Sequence, residues 1–287
     1  MQYLKAADVE EAVRHLTNAD GKGAVLAGGT DLLVQMKSRR VSPDVIVDIK
    51  GLAGVYDIEA GEEGYRVGAA VPGAALGEDA GFSAAWPGVS EAAQLIGSTQ
   101  VQGRATMVGN LCNASPAADS VPALIAADAM AVVEGPKGQK SIPVGEIATG
   151  PGQTCLDAGE FVSAITFPAR GPRASDAYLR FIPRTEMDIA VASAGVSLAL
   201  DDTGVVISAR VALGAVSATA YLDETASARL VGTKLEDDVL AELAELCSQS
   251  CSPIDDKRGT VEYRRDVVGV LAKRAAVIAY SRAKERS

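Results

Sequence analysis

Residues 25–32 have the sequence VLAGGTDL, in which a short apolar segment leads through two glycines into the predicted start of a helix. Glycine lets the backbone approach a ligand closely, and the unpaired N–H groups at a helix start attract phosphate. The Thr30 hydroxyl can cap that helix. The segment matches neither the GxGxxG dinucleotide motif nor the GxxxxGK[ST] phosphate loop. It therefore predicts either a phosphate-binding turn or an ordinary tight turn.

A second segment, residues 103–129, has the sequence GRATMVGNLCNASPAADSVPALIAADA. It lies mostly within a long predicted loop, residues 97–120, and loops of this length are usually functional or disordered. One interpretation is a loop around a polar ligand, in which Asp119 accepts hydrogen bonds from ribose hydroxyls or an adenine amine. The alternative is an ordinary loop whose Asn and Ser side chains bond the local backbone. The candidate donors are Thr106, Asn110, Asn113 and Ser115.

Hydrophobic periodicity predicts an α+β chain in two domains. A β-α-β-like unit, a hairpin around residues 61–64 and later helices and strands precede a predicted linker at residues 169–176. A strand pair and three helices follow it. The domains are predicted at residues 1–170, with subdomains at about 1–53 and 54–170, and at residues 178–287. The predicted elements are residues 8–16, 24–27, 31–37, 45–49, 54–71, 87–96, 121–130, 131–134, 161–167, 190–200, 205–213, 220–231, 239–248 and 260–282.

Composition and charge exclude several classes of protein. The 27 Lys and Arg residues against 37 Asp and Glu give a net charge of −10, which disfavours binding to nucleic acid phosphates. No apolar run reaches the roughly 18 residues of a transmembrane helix, so we expect no integral membrane protein. The N-terminus lacks the basic and apolar regions of a signal peptide. We therefore expect a cytoplasmic protein.

Histidine and cysteine counts limit the chemistry further. The one histidine, His15, lies on a predicted amphipathic helix, where a surface or boundary role is expected. The four cysteines lack the paired CxxC spacing of zinc and iron–sulfur sites. Cys247 and Cys251 share one helix face, which is typical of a buried cysteine surface. We therefore assign this chain no metal site and no catalytic acid, base or nucleophile.

The two segments together, with three later ones, resemble a known family. The later segments are residues 159–168 (Gly-Glu, a strand, then Pro), 180–190 (RFIPRTEMDIA) and 256–265 (DKRGTVEYRR). In this order, and over essentially the whole chain, they resemble the FAD-binding medium subunit of the molybdenum hydroxylases, the carbon monoxide dehydrogenase and xanthine dehydrogenase family. The resemblance implies a two-part FAD-binding domain of the vanillyl-alcohol-oxidase (PCMH) type. A smaller α+β C-terminal domain of antiparallel strands and helices would follow it.

The resemblance also implies a non-covalent FAD site. The backbone of the first segment would bind the pyrophosphate, and the second segment would bind phosphate and ribitol from the other side. Asp119 would reach the adenosine end, and Arg180 falls where relatives carry Lys or Arg near the flavin. The implied cofactor-binding residues are Ala27, Gly28, Gly29, Thr30, Asp31, Leu32, Ile96, Gly97, Thr106, Gly109, Asn110, Cys112, Asn113, Ser115, Asp119, Glu160, Val162, Arg180 and Asp188.

Two departures from the family pattern concern the flavin site and metal content. Relatives commonly have Thr-Ile-Gly-Gly-Asn in the second segment, whereas this chain has Val108 at the first of those glycines. Val108 therefore puts a close backbone approach at that position in doubt. Some relatives carry an inserted cysteine loop for an extra iron–sulfur cluster, and this chain has no such insert. We therefore expect no cluster on it.

The resemblance implies two partner chains. A large subunit would carry the molybdenum cofactor, and a small subunit would carry two [2Fe–2S] clusters that pass electrons to the flavin. Two such clusters need about eight thiolate ligands, and this chain has four cysteines. The family also implies a dimer of heterotrimers. The substrate of the complex and the external electron acceptor stay open.

Two alternatives remain at this stage. The first is a stand-alone FAD oxidase or dehydrogenase that acts directly on a small organic substrate. Only about 110 residues follow the linker, with few aromatic residues and no histidine for acid–base chemistry, which disfavours it. The second is a binding or assembly protein that kept the fold without flavin.

Overall fold

The N-terminal part of the chain forms a three-stranded parallel sheet. The computed structural model describes residues 1–286, and the strand order is β1-β3-β2. The Asp8 side chain caps the first helix by accepting a 2.7 Å hydrogen bond from the Glu11 N–H, and Ala12 and Leu16 are buried in the core beneath the helix. The elements are β1 (Gln2–Lys5), α1 (Val9–Asn18), β2 (Gly23–Leu26), α2 (Leu32–Lys37) and β3 (Val45–Asp48).

A five-stranded antiparallel sheet follows, with the order β4-β5-β10-β6-β7. Its central strand, β10, comes last of the five in the chain. Six short helices connect β5 to β6. The elements are β4 (Ile58–Gly61), β5 (Gly64–Gly68), α3 (Gly73–Glu78), α4 (Ala80–Ala85), α5 (Pro87–Ala93), α6 (Thr99–Gln102), α7 (Met107–Cys112), α8 (Val121–Ala126), β6 (Met130–Glu134), β7 (Lys140–Pro143), α9 (Val144–Ile147), the hairpin β8 (Ala148–Gly150) and β9 (Gln153–Thr154), and β10 (Phe161–Pro168).

The C-terminal part is a four-stranded antiparallel sheet, β11-β12-β13-β14, packed against helices from both parts of the chain. The long helix α12 packs on β11 and β12, and α11 packs on α12. Alanines on the buried side of α12 let it lie close to the sheet. The elements are β11 (Ala174–Phe181), β12 (Ala192–Leu200), β13 (Val206–Gly214), β14 (Tyr221–Leu222), α10 (Glu224–Leu230), α11 (Asp237–Ser250) and α12 (Val261–Glu285).

Each part has its own hydrophobic core, and the two parts meet through α5 and α8. A Cβ on Gly195 of β12 would lie 2.7 Å from the Pro122 carbonyl oxygen, so glycine is needed for α8 to approach that closely. At the same junction, Arg170 pairs with Asp176 at 2.6 Å and lies 3.7 Å over the Trp86 ring. This arrangement confirms the predicted α+β class.

Three predictions about local structure are corrected. The loop predicted at residues 97–120 contains α6 and α7, and the linker predicted at residues 169–176 ends where β11 begins, at Ala174. The helix predicted at residues 121–130 ends at Ala126, and a strand begins at Met130. Gly109 and Asn110 have low helix propensity, which hid α7 from pattern analysis. Strand β11 is mostly buried, so its sequence lacks the alternation of a half-exposed strand.

Within residues 1–286, no helix has both the length and the apolar character that crossing a membrane requires.

Candidate functional site

A cavity of about 680 Å³ lies where the first and second sequence segments meet. Its walls come from the turn after β2, from α2 and α7, and from residues 156–162 before and within β10. This volume is within the range of about 300–1,000 Å³ that is typical of sites for small molecules and cofactors. The segments that the sequence predicted to cooperate are therefore adjacent in space.

The turn after β2 has no room for side chains at its two glycines. A Cβ on Gly28 would overlap the carbonyl oxygen of Arg104, and Gly29 has a φ of +76°, a conformation that favours glycine. The Arg104 Nε also donates to the Gly28 carbonyl at 3.4 Å. The turn thus forms a cradle of bare backbone against the second segment. Such a cradle fits a phosphate group, which needs close access to backbone N–H groups.

Helix α7 forms the opposite wall, and its polar side chains serve partly to hold the wall together. The Thr106 hydroxyl caps the helix by accepting from the Gly109 N–H at 2.9 Å. The Asn110 side-chain oxygen accepts from the N–H and the hydroxyl of Ser120, at 3.0 and 2.8 Å. The amide nitrogen of Asn110 is therefore the part of this side chain that can donate to a ligand.

A hydrogen bond between two side chains connects α2 with the end of α7. Gln35 on α2 donates from its Nε2 to the Asn113 Oδ1 at 2.7 Å. Sequence analysis missed Gln35, although it lies four residues after Asp31 and therefore on the same helix face. That spacing was the available signal. The hydrogen bond fixes the separation of α2 and α7 across the cavity.

The third wall, residues 156–162, contains the carboxylate of Glu160, whose charge is paired with a lysine. Glu160 pairs with the Lys140 Nζ at 2.6 Å and accepts from the Asp157 N–H at 3.0 Å. Burial raises the pKa of Glu160, but the hydrogen bonds from Lys140 and Asp157 outweigh it, so the pKa is lowered overall. Two apolar residues of β10, Phe161 and Val162, complete this wall.

Two titratable groups on the other walls are shifted toward their neutral forms. Burial raises the pKa of Asp31, which lies just before α2. Burial, with a smaller contribution from Cys155, raises the pKa of the Cys112 thiol to about 12. Within residues 1–286, no three His, Cys, Asp or Glu side chains are placed to hold a metal ion.

The cavity brings together fourteen of the predicted site residues. Val108, the departure from the family pattern, also lines it and is largely buried. Residues that sequence analysis missed include Gln35, Arg40, Thr154, Leu156 and Phe161. The predicted residues that line it are Ala27, Gly28, Gly29, Thr30, Asp31, Leu32, Ile96, Thr106, Gly109, Asn110, Cys112, Asn113, Glu160 and Val162.

The other five predicted residues lie outside the lining of this cavity. Gly97 follows Ile96 with a φ of +70°, and the Ser115 hydroxyl accepts from the Ala117 N–H at 3.3 Å. Asp119 and Arg180 pair with each other at 2.6 Å, and both are largely buried. Asp188 pairs with Arg184 at 3.0 Å and lies 3.9 Å from Arg258.

Family models match both parts of the chain. Residues 1–170 match the FAD binding domain in molybdopterin dehydrogenase. Residues 158–278 match the C-terminal domain of the CO dehydrogenase flavoprotein.

Several known proteins match this chain over nearly its whole length and nearly the whole of their own. The carbon monoxide dehydrogenase medium chain of Hydrogenophaga pseudoflava is 31% identical, over 98% of this chain and 97% of that one. The putative xanthine dehydrogenase FAD-binding subunit of Escherichia coli K12 is 29% identical, over 95% and 93% of the two chains. The solved structure of reconstituted CO dehydrogenase from Oligotropha carboxidovorans superposes with a TM-score of 0.94 at 29% identity, over 98% of both chains.

These matches confirm the predicted two-part FAD-binding domain followed by a smaller C-terminal domain. A bare backbone cradle, a facing capped helix and a cavity of cofactor size agree with that assignment. The chain therefore belongs to the molybdopterin dehydrogenase family of molybdenum hydroxylases, as an FAD-binding medium subunit of these oxidoreductase complexes.

Proposed function

We propose that this chain binds FAD non-covalently in the cavity between α2 and α7 and transfers electrons through it. The electrons would come from the [2Fe–2S] clusters of a small subunit and pass to an external acceptor. The observation that carries the proposal is the glycine cradle, where a Cβ on Gly28 would overlap the neighbouring backbone. A turn built to exclude side chains beside a cavity of this size suits a dinucleotide pyrophosphate.

The residues of the two walls have distinct roles in this proposal. The N–H groups of Gly29 and Thr30 and the Thr30 hydroxyl would donate to the pyrophosphate. From α7, the Asn110 amide would donate to the same ligand, while Thr106 holds the start of that helix. Bound FAD supplies the redox chemistry, and the protein orients it and tunes its potential.

The remaining site residues and the domain boundaries stay predictions. Ser115, Asp119 and Arg180 are proposed to face the part of FAD that extends beyond the cavity, and Gly97 and Asp188 to support its surroundings. The proposed domains are residues 1–170 and 178–287.

We propose the partner subunits from the family and from the number of cysteines available to bind iron–sulfur clusters. A large subunit would carry the molybdenum cofactor, and a small subunit would carry two [2Fe–2S] clusters. The four cysteines of this chain are fewer than the roughly eight thiolates that two such clusters need. A dimer of heterotrimers in the cytoplasm is the assembly that we propose.

Flavin titration of a glycine variant tests the site. Gly29→Asp adds a negative charge at the cradle and a side chain that would crowd Leu26, and we expect its FAD dissociation constant to rise about tenfold or more, or about 1.4 kcal/mol. Gly232→Asp controls for an aspartate at a positive φ, because Gly232 has a similar φ of +82°, and nothing lies within 4 Å of a Cβ there to add a clash. Flavin fluorescence quenching gives both constants. Unchanged affinity in a folded Gly29→Asp variant would show that the cradle does not bind FAD.

Co-purification from the native host tests the electron-transfer role. We expect flavin, iron, molybdenum and two further chains to purify together, with an absorption spectrum that contains both flavin and iron–sulfur bands. Flavin on a lone chain that a small organic substrate reduces directly would instead support a self-sufficient flavoenzyme. Intact folding without any flavin binding would support an assembly protein.

A further inference from the structure

The cavity lining contains little positive charge for a ligand with a diphosphate. Its carboxylates are Asp31, Asp157 and Glu160, and only Glu160 has a lysine partner, Lys140, at 2.6 Å. Among residues 1–286, Arg40 is the one Lys or Arg in the lining. The whole chain carries a net charge of −10. Apart from the backbone N–H groups of the glycine cradle, Arg40 is therefore the positive group among the described lining residues that a diphosphate would meet.

The backbone of Arg40 is fixed, and its side chain is free to bind. Its N–H donates to the Gln35 carbonyl at 2.9 Å, just beyond the end of α2. The side chain is exposed, and it forms no ion pair within the described residues 1–286. Arg104, the other guanidinium near the cradle, is already bonded to the Gly28 carbonyl. Among residues 1–286, Arg40 is thus a cation at the cavity whose side chain has no ion-pair partner.

We propose that Arg40 binds the adenosine diphosphate half of FAD and makes the chain's affinity for the dinucleotide depend on ionic strength. The inference rests on the proposed FAD site and adds a residue that the family pattern does not assign. A guanidinium matches phosphate oxygens because its N–H groups form a planar pair of donors. An exposed arginine also acts at a distance in low salt, so it would guide the diphosphate toward the glycine cradle.

The neighbouring Arg39 provides a matched control. It is exposed like Arg40 and lies next to it in the chain, but it does not line the cavity. Arg40→Gln and Arg39→Gln each remove one positive charge, so both change the global charge equally. Three probes separate the parts of the ligand: FAD, ADP and riboflavin, which lacks phosphate.

We expect Arg40→Gln to raise the dissociation constants of FAD and ADP about two- to fivefold at low ionic strength, the range for an exposed charge pair. The ratio of the variant's dissociation constant to that of the parent should fall toward one near 0.5 M NaCl, because salt screens the charge. Riboflavin affinity should not change, and Arg39→Gln should behave like the parent protein with all three probes.

The outcomes distinguish this inference from the proposed function. If the parent chain binds neither FAD nor ADP, the proposed FAD site fails. If the parent binds FAD but Arg40→Gln binds FAD and ADP equally tightly at low salt, only the role of Arg40 is refuted. Equal losses in Arg39→Gln and Arg40→Gln would also refute it, because the effect would then come from overall charge.

Discussion

The buried ion pair between Asp119 and Arg180 gives a prediction about stability that does not depend on bound flavin. Arg180 lies on β11, Asp119 lies between α7 and α8, and their side chains are only 6% and 13% exposed. The Nη1–Oδ1 distance is 2.6 Å. Burial raises the pKa of Asp119, and the charge and hydrogen bond of Arg180 offset part of that rise. Arg180 therefore favours the ionised form of this carboxyl group.

Replacing Arg180 by Met leaves that carboxylate buried and unpaired. Removing one partner of a buried pair costs about 3–5 kcal/mol, because the remaining charge loses its compensation. The pKa of Asp119 should rise further in the variant, so the folded state binds a proton more tightly than the unfolded state. Stability then falls as pH rises through the raised pKa. We therefore expect the loss in Arg180→Met to be larger at pH 8 than at pH 5.

Urea unfolding of the flavin-free chain measures this effect. The single tryptophan, Trp86, is buried at the junction of the two parts and reports their unfolding. Arg184→Met is the matched control, because Arg184 is 70% exposed in its pair with Asp188 and should contribute about 1 kcal/mol or less. The double variant Arg180→Met/Asp119→Asn should recover part of the loss. A cost in Arg180→Met no larger than in Arg184→Met, at both pH values, would refute the reasoning.

Two further predictions concern the wall formed by α7. Thr106→Val removes the cap on the Gly109 N–H and should cost about 1 kcal/mol of stability; it should also weaken FAD binding, as measured by fluorescence titration. Thr260→Val removes the cap of α12, which is in the C-terminal part, and should lose similar stability but keep its FAD affinity. An equal loss of FAD affinity in both variants would contradict the assignment of α7 to the FAD site. Burial raises the pKa of Cys112 to about 12, so its iodoacetamide labelling at pH 8 should be roughly tenfold to a hundredfold slower in the folded chain than in urea, since the thiolate is rarer but more nucleophilic. Peptide mass spectrometry gives both rates, and rapid labelling of the folded protein would show that the thiol is less buried.

The backbone features of the site could be predicted from the sequence because they depend on one residue type at a time. Gly28 and Gly29 are required where the chain has a positive φ or touches another backbone, and such positions tolerate few other residues. The flanking strand and helix were predicted within one residue of their observed ends. The cradle and its approximate place in the chain were therefore visible in the sequence.

The partners of the polar side chains could not be predicted in the same way. Thr106 and Asn110 were expected to contact a ligand, yet their oxygens bond the Gly109 N–H and Ser120. Local and ligand hydrogen bonds require the same residue types, so composition does not separate them. Gln35 was missed because its role depends on an Asn113 that lies 78 residues away.

Asp119 and Arg180 extend this argument to charged residues. Each was predicted separately as a contact of FAD, Asp119 at the ribose or adenine and Arg180 near the flavin. The structure places them in one buried pair across the junction between the two parts of the chain. A buried charge needs a partner more strongly than an exposed one does, so neither residue could hold its position alone. Any contact with FAD must therefore involve the two as a unit, and a variant of either residue will change stability as well as flavin binding. A double-mutant cycle on Arg180→Met and Asp119→Asn, measured once by urea unfolding and once by flavin titration, gives the coupling of the pair in each quantity.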